Sequence, residues 1–153
     1  AVKVVFSGGL QENTNDYFNK IIQYIKDFEL EKDVSIVGFV PTEDMSALYS
    51  ESLGVIFPSY LGPTNIPPIE AWAHQKPLIC SELHKEQVGK AAILFDPDNY
   101  IDISECILKL HDVSIIDKLN TEAEKQIKLI NKKRFNSEQV LKKQLNSYKL
   151  RLD

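Results

Sequence analysis

Apolar positions along this chain switch repeatedly between two spacings. The run from Val2 to Phe6, rich in β-branched and aromatic residues and closed by Ser7-Gly8-Gly9, predicts a buried parallel strand. Phe18, Ile21, Ile22, Ile25 and Phe28 then recur at intervals of three and four, the period of a helix with one apolar face. Val34 to Phe39 predicts a second strand. Pro41-Thr42 supplies a stop and an N-cap for a short helix through Met45, Leu48 and Tyr49. Val55-Ile56-Phe57 predicts strand three, and the next helix carries Ile69, Ala71, Trp72 and Ala73. Lys76 to Cys80 resumes the sheet, and Ala92 to Phe95 forms a fifth strand closed by Asp96-Pro97-Asp98. From Tyr100 onward the pattern is helical: Ile101 to Leu110, Ile115 to Lys133 and, after a break at Asn136, Ser137 to Leu150.

Strands alternating with helices specify an α/β fold, a Rossmann-like doubly wound parallel sheet with helices on both faces and helices at its C-terminal end. Ligands of such sheets lie outside the carboxyl ends of the strands. The loops that matter are therefore Ser7 to Leu10, Phe39 to Thr42, Pro58 to Asn65 and Ser81 to Lys85.

With 153 residues, 43% of them hydrophobic, the chain suits one domain with its own core. No apolar run reaches the roughly 18 residues that cross a bilayer, and no leader pattern follows the N-terminus, so the expected location is cytoplasmic. Cys80 and Cys106 show no metal or disulfide spacing and are expected to be small buried hydrophobes. Net charge is −4, which argues against nucleic acid as a partner. Residues 121–153 nevertheless hold nine Lys and Arg against four Asp and Glu, or +5, leaving −9 on the rest. A solvated helix face is the expectation for that basic segment. Neither His74 nor His84 has a carboxylate partner at a suggestive spacing, and both are expected at the surface; His111 precedes Asp112 in a connection between helices.

One stretch carries candidate chemistry: Gly62-Pro63-Thr64-Asn65-Ile66-Pro67-Pro68-Ile69-Glu70-Ala71, at the junction of the third strand and its helix. A helix start leaves N–H groups unpaired and, with the macrodipole, attracts anions. Pro67 and Pro68 have no N–H, so the donors remaining are those of Thr64, Asn65, Ile66 and Ile69, with the Thr64 hydroxyl and Asn65 amide beside them. The prolines also stiffen the turn before any ligand arrives. Glu70 adds two acceptor oxygens side by side, a match for the two hydroxyls of a ribose diol. Phosphates at the helix end and ribose on Glu70 would describe a nucleoside diphosphate. A Glu70 that only complements the helix dipole, worth about 0.3–1 kcal/mol, fits this stretch equally well.

Gly38-Phe39-Val40, Tyr49, Val55-Ile56-Phe57-Pro58-Ser59, Ile66-Pro67-Pro68-Ile69-Glu70-Ala71-Trp72-Ala73 and Lys76-Pro77-Leu78-Ile79 follow one another at a particular spacing. Glu86 to Pro97 and Phe135-Asn136-Ser137-Glu138 extend the series. In this the chain resembles the C-terminal, donor-binding domain of GT-B glycosyltransferases, specifically the large fourth family of retaining enzymes, also called glycosyl transferases group 1. That family's signature is two glutamates with seven residues between them, the second expected on the ribose hydroxyls. Glu70 matches the second; Gly62 stands at the place of the first, and Pro63-Thr64-Asn65 replaces the usual Gly-Phe-Gly. After the helix, His74-Gln75-Lys76-Pro77 replaces a small residue, glycine and proline, so Gln75 is expected in a left-handed conformation.

The resemblance implies half of a GT-B fold, with residues 1–153 as one sugar-nucleotide-binding domain and with the acceptor domain and first strand of this domain lying outside the chain. It implies metal-independent hexosyl transfer with retention, from a UDP- or GDP-sugar to a glycan or lipid-linked acceptor, in bacterial surface polysaccharide synthesis. No cofactor is expected. The implied donor-binding set is Glu70, Ile66, Asn65, Thr64 and Gly62, with backbone groups of Phe39 and Val40 beside the base; no residue of the chain is assigned a catalytic role. Chemistry would need both domains to close and exclude water, so this chain alone is expected to bind sugar nucleotide weakly, if at all, and to transfer nothing. Contact with the inner face of a membrane would be made through the part outside this chain. The final helix would cross towards the other domain, exposing Val140, Leu141, Leu145 and Tyr148. The alternative expectation is a non-catalytic module of the same fold that has lost donor binding, suggested by the missing first glutamate.

Overall fold

The computed structural model describes residues 2–8, 15–61 and 65–149, and the chain separates into two units, Ala1–Ala47 and Leu48–Asp153. In the first unit, β1 (Val4–Ser7) pairs in parallel with β2 (Val34–Gly38), and α1 (Asn15–Asp27) connects them. Val4 faces Val34 and Phe6 faces Ile36, but the register slips after Phe6 and Ser7 meets Gly38. Gly38 has φ of 68°, a conformation open to glycine at little steric cost. Phe18, Ile21, Ile22 and Ile25 of α1 are half-buried, as the helical spacing predicts, while Tyr24 and Phe28 stack outside with ring centres 6.4 Å apart. The helix closes through Glu29 at φ 55°, with Leu30 N–H donating to the Ile25 carbonyl at 2.8 Å. No described residue of this unit is fully buried. Helix α2 (Thr42–Glu51) starts one residue earlier than the expected Thr42 cap allows: Thr42 is its first helical residue, and the Pro41 carbonyl accepts the Met45 N–H at 3.1 Å.

The second unit holds β3 (Val55–Phe57), α3 (Ile66–Ala73), β4 (Leu78–Ser81), α4 (Lys85–Val88), β5 (Ile93–Phe95), α5 (Tyr100–Leu108) and α6 (Val113–Lys149). Its sheet is parallel in the order β3-β4-β5. The central strand β4 is wholly buried, so its residues are apolar or small on both faces. Alternation then sorts the core in two. Leu78 and Cys80 point to one face, with Val55, Phe57 and Leu94 from the neighbouring strands, and are covered by Ala71 and Trp72 of α3 and by Ala123, Ile127 and Ile130 of α6. Ile79, Ile56 and Phe95 point to the other, under Ile103, Cys106 and Ile107 of α5 and Leu110. Helices thus lie on both faces of this sheet, as the strand–helix alternation predicts. Each large side chain so enclosed contributes about 1.5–3 kcal/mol. The Trp72 ring also donates Nε1–H to the Ala91 carbonyl at 3.0 Å, which satisfies its only polar atom. Gly54 is small for a packing reason: a Cβ there would lie 2.9 Å from Leu110 Cδ1 and 3.1 Å from the Pro77 carbonyl oxygen.

Cys80 and Cys106 are both fully buried, and Cys106 Sγ donates to the Leu94 carbonyl at 3.6 Å. Three further sequence expectations about the fold need correction. The first predicted strand is not buried, since Val2, Val5 and Phe6 are 41%, 45% and 47% exposed. The C-terminal region is one helix of 37 residues, not two. Asn136 is only a weak helix former, no glycine or proline accompanies it, and the Arg134–Glu138 ion pair at 3.0 Å bridges the expected break. The loop after β4 is also more ordered than the sequence pattern indicates. Ser81 Oγ accepts the Leu83 N–H at 3.3 Å and starts a 3-10 turn over Glu82–His84 that leads directly into α4. Val140, Leu141 and Leu145 are exposed, in line with expectation, and the Tyr148 side chain lies outside the described residues. No helix among the described residues is long and apolar enough to cross a membrane.

Candidate functional site

Helix α3 begins at Ile66, with Asn65 as its N-cap at φ −90°, ψ 120°. Pro67 and Pro68 therefore occupy the second and third helical positions, where their fixed φ suits the helix and their missing N–H removes two donors. Of the first turn, Ile66 retains an N–H, and its side chain is exposed. Pro68 is packed into the interior, so the double proline also anchors the helix start.

The Asn65 side chain does not cap the helix. It turns inward, and the residue is only 7% exposed. Gln87 Nε2 donates to the Asn65 carbonyl at 2.9 Å, which orients the glutamine amide. Gln87 Oε1 then accepts from Asn65 Nδ2 at 3.1 Å, and the same Nδ2 donates to Nδ1 of His84 at 3.0 Å. His84 completes the circuit by donating Nε2–H to the Ser59 carbonyl at 2.8 Å. Because each partner can only accept or only donate, the imidazole takes the Nε2–H tautomer. His84 is 8% exposed and packs against Phe57, so the expectation of a surface histidine is corrected. The signal that sequence reading lacked is the 3-10 turn, which points this side chain back under the β3 loop.

Glu70 is the fifth residue of α3, just past its first turn, and is partly exposed. The Tyr49 hydroxyl donates to its Oε2 at 2.8 Å, and Oε1 has no hydrogen-bond partner among the described residues. Burial, followed by the hydrogen bond and the charge of Glu70, holds the Tyr49 phenol above its ordinary value, so it remains a donor. Tyr49 is in turn stacked on His74, with ring centres 5.3 Å apart and planes 4° from parallel. His74 Nδ1 lies 3.2 Å from Ser50 Oγ. His74 is thus half-buried and engaged rather than a free surface group. The turn that carries it closes through Gln75 at φ 54°, the left-handed conformation predicted, with Lys76 N–H donating to the Ala71 carbonyl at 2.9 Å.

Structure and sequence meet unevenly over the predicted site. Glu70, Ile66 and Asn65 share one helix start. Thr64 and Gly62 lie outside the described residues. Phe39 and Val40 belong to the first unit, in the loop leaving the carboxyl end of β2, where Phe39 is 78% exposed. Tyr49, His84 and Gln87 had no assigned role in the sequence, because nothing local to them marks a contact made about twenty positions away. Tyr60, in the loop after β3, adds a tie to the end of β5 through its hydroxyl, 2.7 Å from Asp98 Oδ1.

A helix start with a tethered carboxylate, at the carboxyl ends of parallel strands, is an arrangement for binding polar ligands. Known proteins share the architecture. The model of the family described as glycosyl transferases group 1 matches residues 1–112. The chain is 30% identical over 119 residues to the O-antigen chain mannosyltransferase B of Escherichia coli, which covers 76% of this chain and 30% of that protein. Its fold is similar to that of a sucrose-phosphate synthase from Thermosynechococcus elongatus, with a TM-score of 0.78 and 19% identity, over 95% of this chain and 39% of the other. It is also similar to Anabaena HepE, solved in complex with UDP and glucose, with a TM-score of 0.73 and 20% identity, over 89% of this chain and 40% of the other. The chain spans less than half the length of each of these proteins. By its sequence match and by its parallel α/β architecture, the chain belongs to the glycosyl transferases group 1 family.

Proposed function

We propose that this chain holds the nucleotide-sugar donor of a glycosyltransferase that builds a bacterial surface polysaccharide, the acceptor being bound by a part of the protein outside the 153 residues. The observation that carries the reading is the state of Glu70: one carboxylate oxygen is held by Tyr49 and the other has no hydrogen-bond partner among the described residues, near a helix start beside the strand ends. A carboxylate fixed through one oxygen is prepared to accept a ribose hydroxyl with the other. The family resemblance implies base contacts for Phe39 and Val40 and diphosphate contacts for Ile66, Thr64 and Gly62. Asn65 contributes there by shaping the backbone, since its amide nitrogen is committed to His84 and Gln87.

Two similar proteins support this reading. One is named an O-antigen chain mannosyltransferase, and one protein of similar fold was solved with UDP and glucose. A UDP- or GDP-hexose is therefore the proposed donor and a glycan or lipid-linked sugar the acceptor. Transfer proceeds with retention at the anomeric carbon and without a metal ion, the leaving diphosphate being stabilised by preorganised donors at the helix start.

Calorimetric titration of the chain with UDP-, GDP- and ADP-sugars at millimolar concentration tests this. Binding of one nucleotide class is expected, weakened by Glu70→Gln by about 1.5–3 kcal/mol, the range for a hydrogen bond to a charged group. Silence from all three, or a Glu70→Gln change that unfolds the chain with no separate loss of binding, overturns it. In the intact enzyme, the anomeric configuration of the product and the rate in chelator check retention and metal independence.

A further inference from the structure

Tyr49 lies 21 positions before Glu70 and shares with it the only hydrogen bond made by the Glu70 carboxylate among the described residues, at 2.8 Å. Its ring is not free to swing away. One face is stacked on His74 at 5.3 Å, nearly parallel, and the side chain packs against the core cluster that contains Trp72 and Ala71. Ser50, the next residue of α2, meets His74 from the side, at 3.2 Å from Nδ1. Helix α2 therefore grips the C-terminal turn of α3 by a ring stack and a polar contact, and the phenol at the end of that grip points at Glu70.

A glutamate on a helix has three rotatable side-chain bonds, and freezing them costs free energy when a ligand arrives. A hydroxyl anchored on a packed ring removes most of that cost beforehand. It also decides which oxygen is left. With Oε2 taken by Tyr49, Oε1 is the atom without a hydrogen-bond partner among the described residues.

We propose that Tyr49 is a positioning residue for donor binding: its hydroxyl fixes Glu70 so that Oε1 is presented to a ribose hydroxyl, with His74 holding the ring in register. This rests on the reading that Glu70 binds the ribose diol. Tyr49 acts through Glu70, so its contribution is confined to ligands that carry the diol.

Tyr49→Phe is the variant to use, since it keeps the ring, its stack on His74 and its packing, and deletes only the hydroxyl. The chain, Tyr49→Phe and Glu70→Gln are each titrated with the nucleoside diphosphate that the unaltered chain prefers and with its 2′,3′-dideoxy analogue, with thermal melting as a control on folding. Tyr49→Phe is expected to weaken binding of the ribonucleotide roughly three- to tenfold, as the loss of one hydrogen bond does, and to change binding of the dideoxy analogue less than about twofold. A variant that binds both as the unaltered chain does, or that loses both equally, overturns the role of Tyr49. If Glu70→Gln weakens ribonucleotide binding while Tyr49→Phe does not, the positioning inference fails and the diol reading stands. If Glu70→Gln has no effect on ribonucleotide binding, or the unaltered chain binds neither ligand at millimolar concentration, both fall together.

Discussion

Nδ2 of Asn65 lies 3.0 Å from Nδ1 of His84, with the two residues 7% and 8% exposed and 19 positions apart in the chain. Gln87 and the Ser59 carbonyl complete the set, so four polar groups that would be costly to bury alone are mutually satisfied. The circuit ties the loop after β3 and the start of α3 to the turn after β4. It thereby fixes the backbone on which Ile66 and Glu70 are mounted.

His84→Ala is therefore expected to destabilise the chain by about 2–4 kcal/mol, because it removes one acceptor of Asn65 Nδ2 and the side-chain donor to the Ser59 carbonyl and leaves a cavity against Phe57. Leu83→Ala, on the exposed neighbour, is expected to cost far less. Urea denaturation of the two variants side by side decides the matter: equal small losses would mean that the circuit carries no stability.

Gln75 adopts φ 54° at the end of α3 with a side chain that glycine would not need. A left-handed residue with a Cβ costs about 1–2 kcal/mol, and replacement by glycine returns part of that to the greater freedom of the unfolded chain. Gln75→Gly is expected to raise stability by about 0.5–1 kcal/mol, while Gln75→Val, β-branched at positive φ, lowers it. A lower melting temperature for the glycine variant would show that the Gln75 side chain supplies contacts outweighing its strain.

Burial pushes the Cys80 thiol from its ordinary 9.0 up to about 11. The unfolded chain releases this proton first, so the group's contribution to stability is complete below pH 9 and is lost as pH rises towards 11. Tyr49, also raised from 10.0, adds a loss of the same sign above pH 10. Denaturation midpoints measured across this alkaline range are expected to fall, and to fall less steeply in Cys80→Ala. An identical slope in that variant would rule out the thiol as a contributor.

Much of this molecule was readable from spacing alone. Runs such as Val34 to Phe39 and Val55 to Phe57, and the three-and-four recurrence from Phe18 to Phe28, put strands and helices in their observed order, because burial of one face or both leaves a periodic mark on the sequence. The left-handed turn at Gln75 was legible because the residue stands where the family it resembles has glycine, and the buried cysteines because no pairing or ligand pattern surrounds them. Glu70 was legible as a carboxylate at a proline-stiffened helix start, with its resemblance to a family glutamate adding a role. The break expected at Asn136 failed for a physical reason as well. One weak helix former changes local propensity by less than about 1 kcal/mol, and the ion pair of Arg134 with Glu138 spans the position.

What the tertiary structure alone decided is which distant groups meet. Tyr49 reaches Glu70, and Asn65 reaches His84 and Gln87, across separations of 21, 19 and 22 residues. Periodicity records whether a position is buried, not what it is buried against. That second fact follows from the parallel pairing of β3 with β4 and the lie of α3 across them, which places the ends of separate loops side by side. Hydrogen bonds, being short and directional, are settled only there.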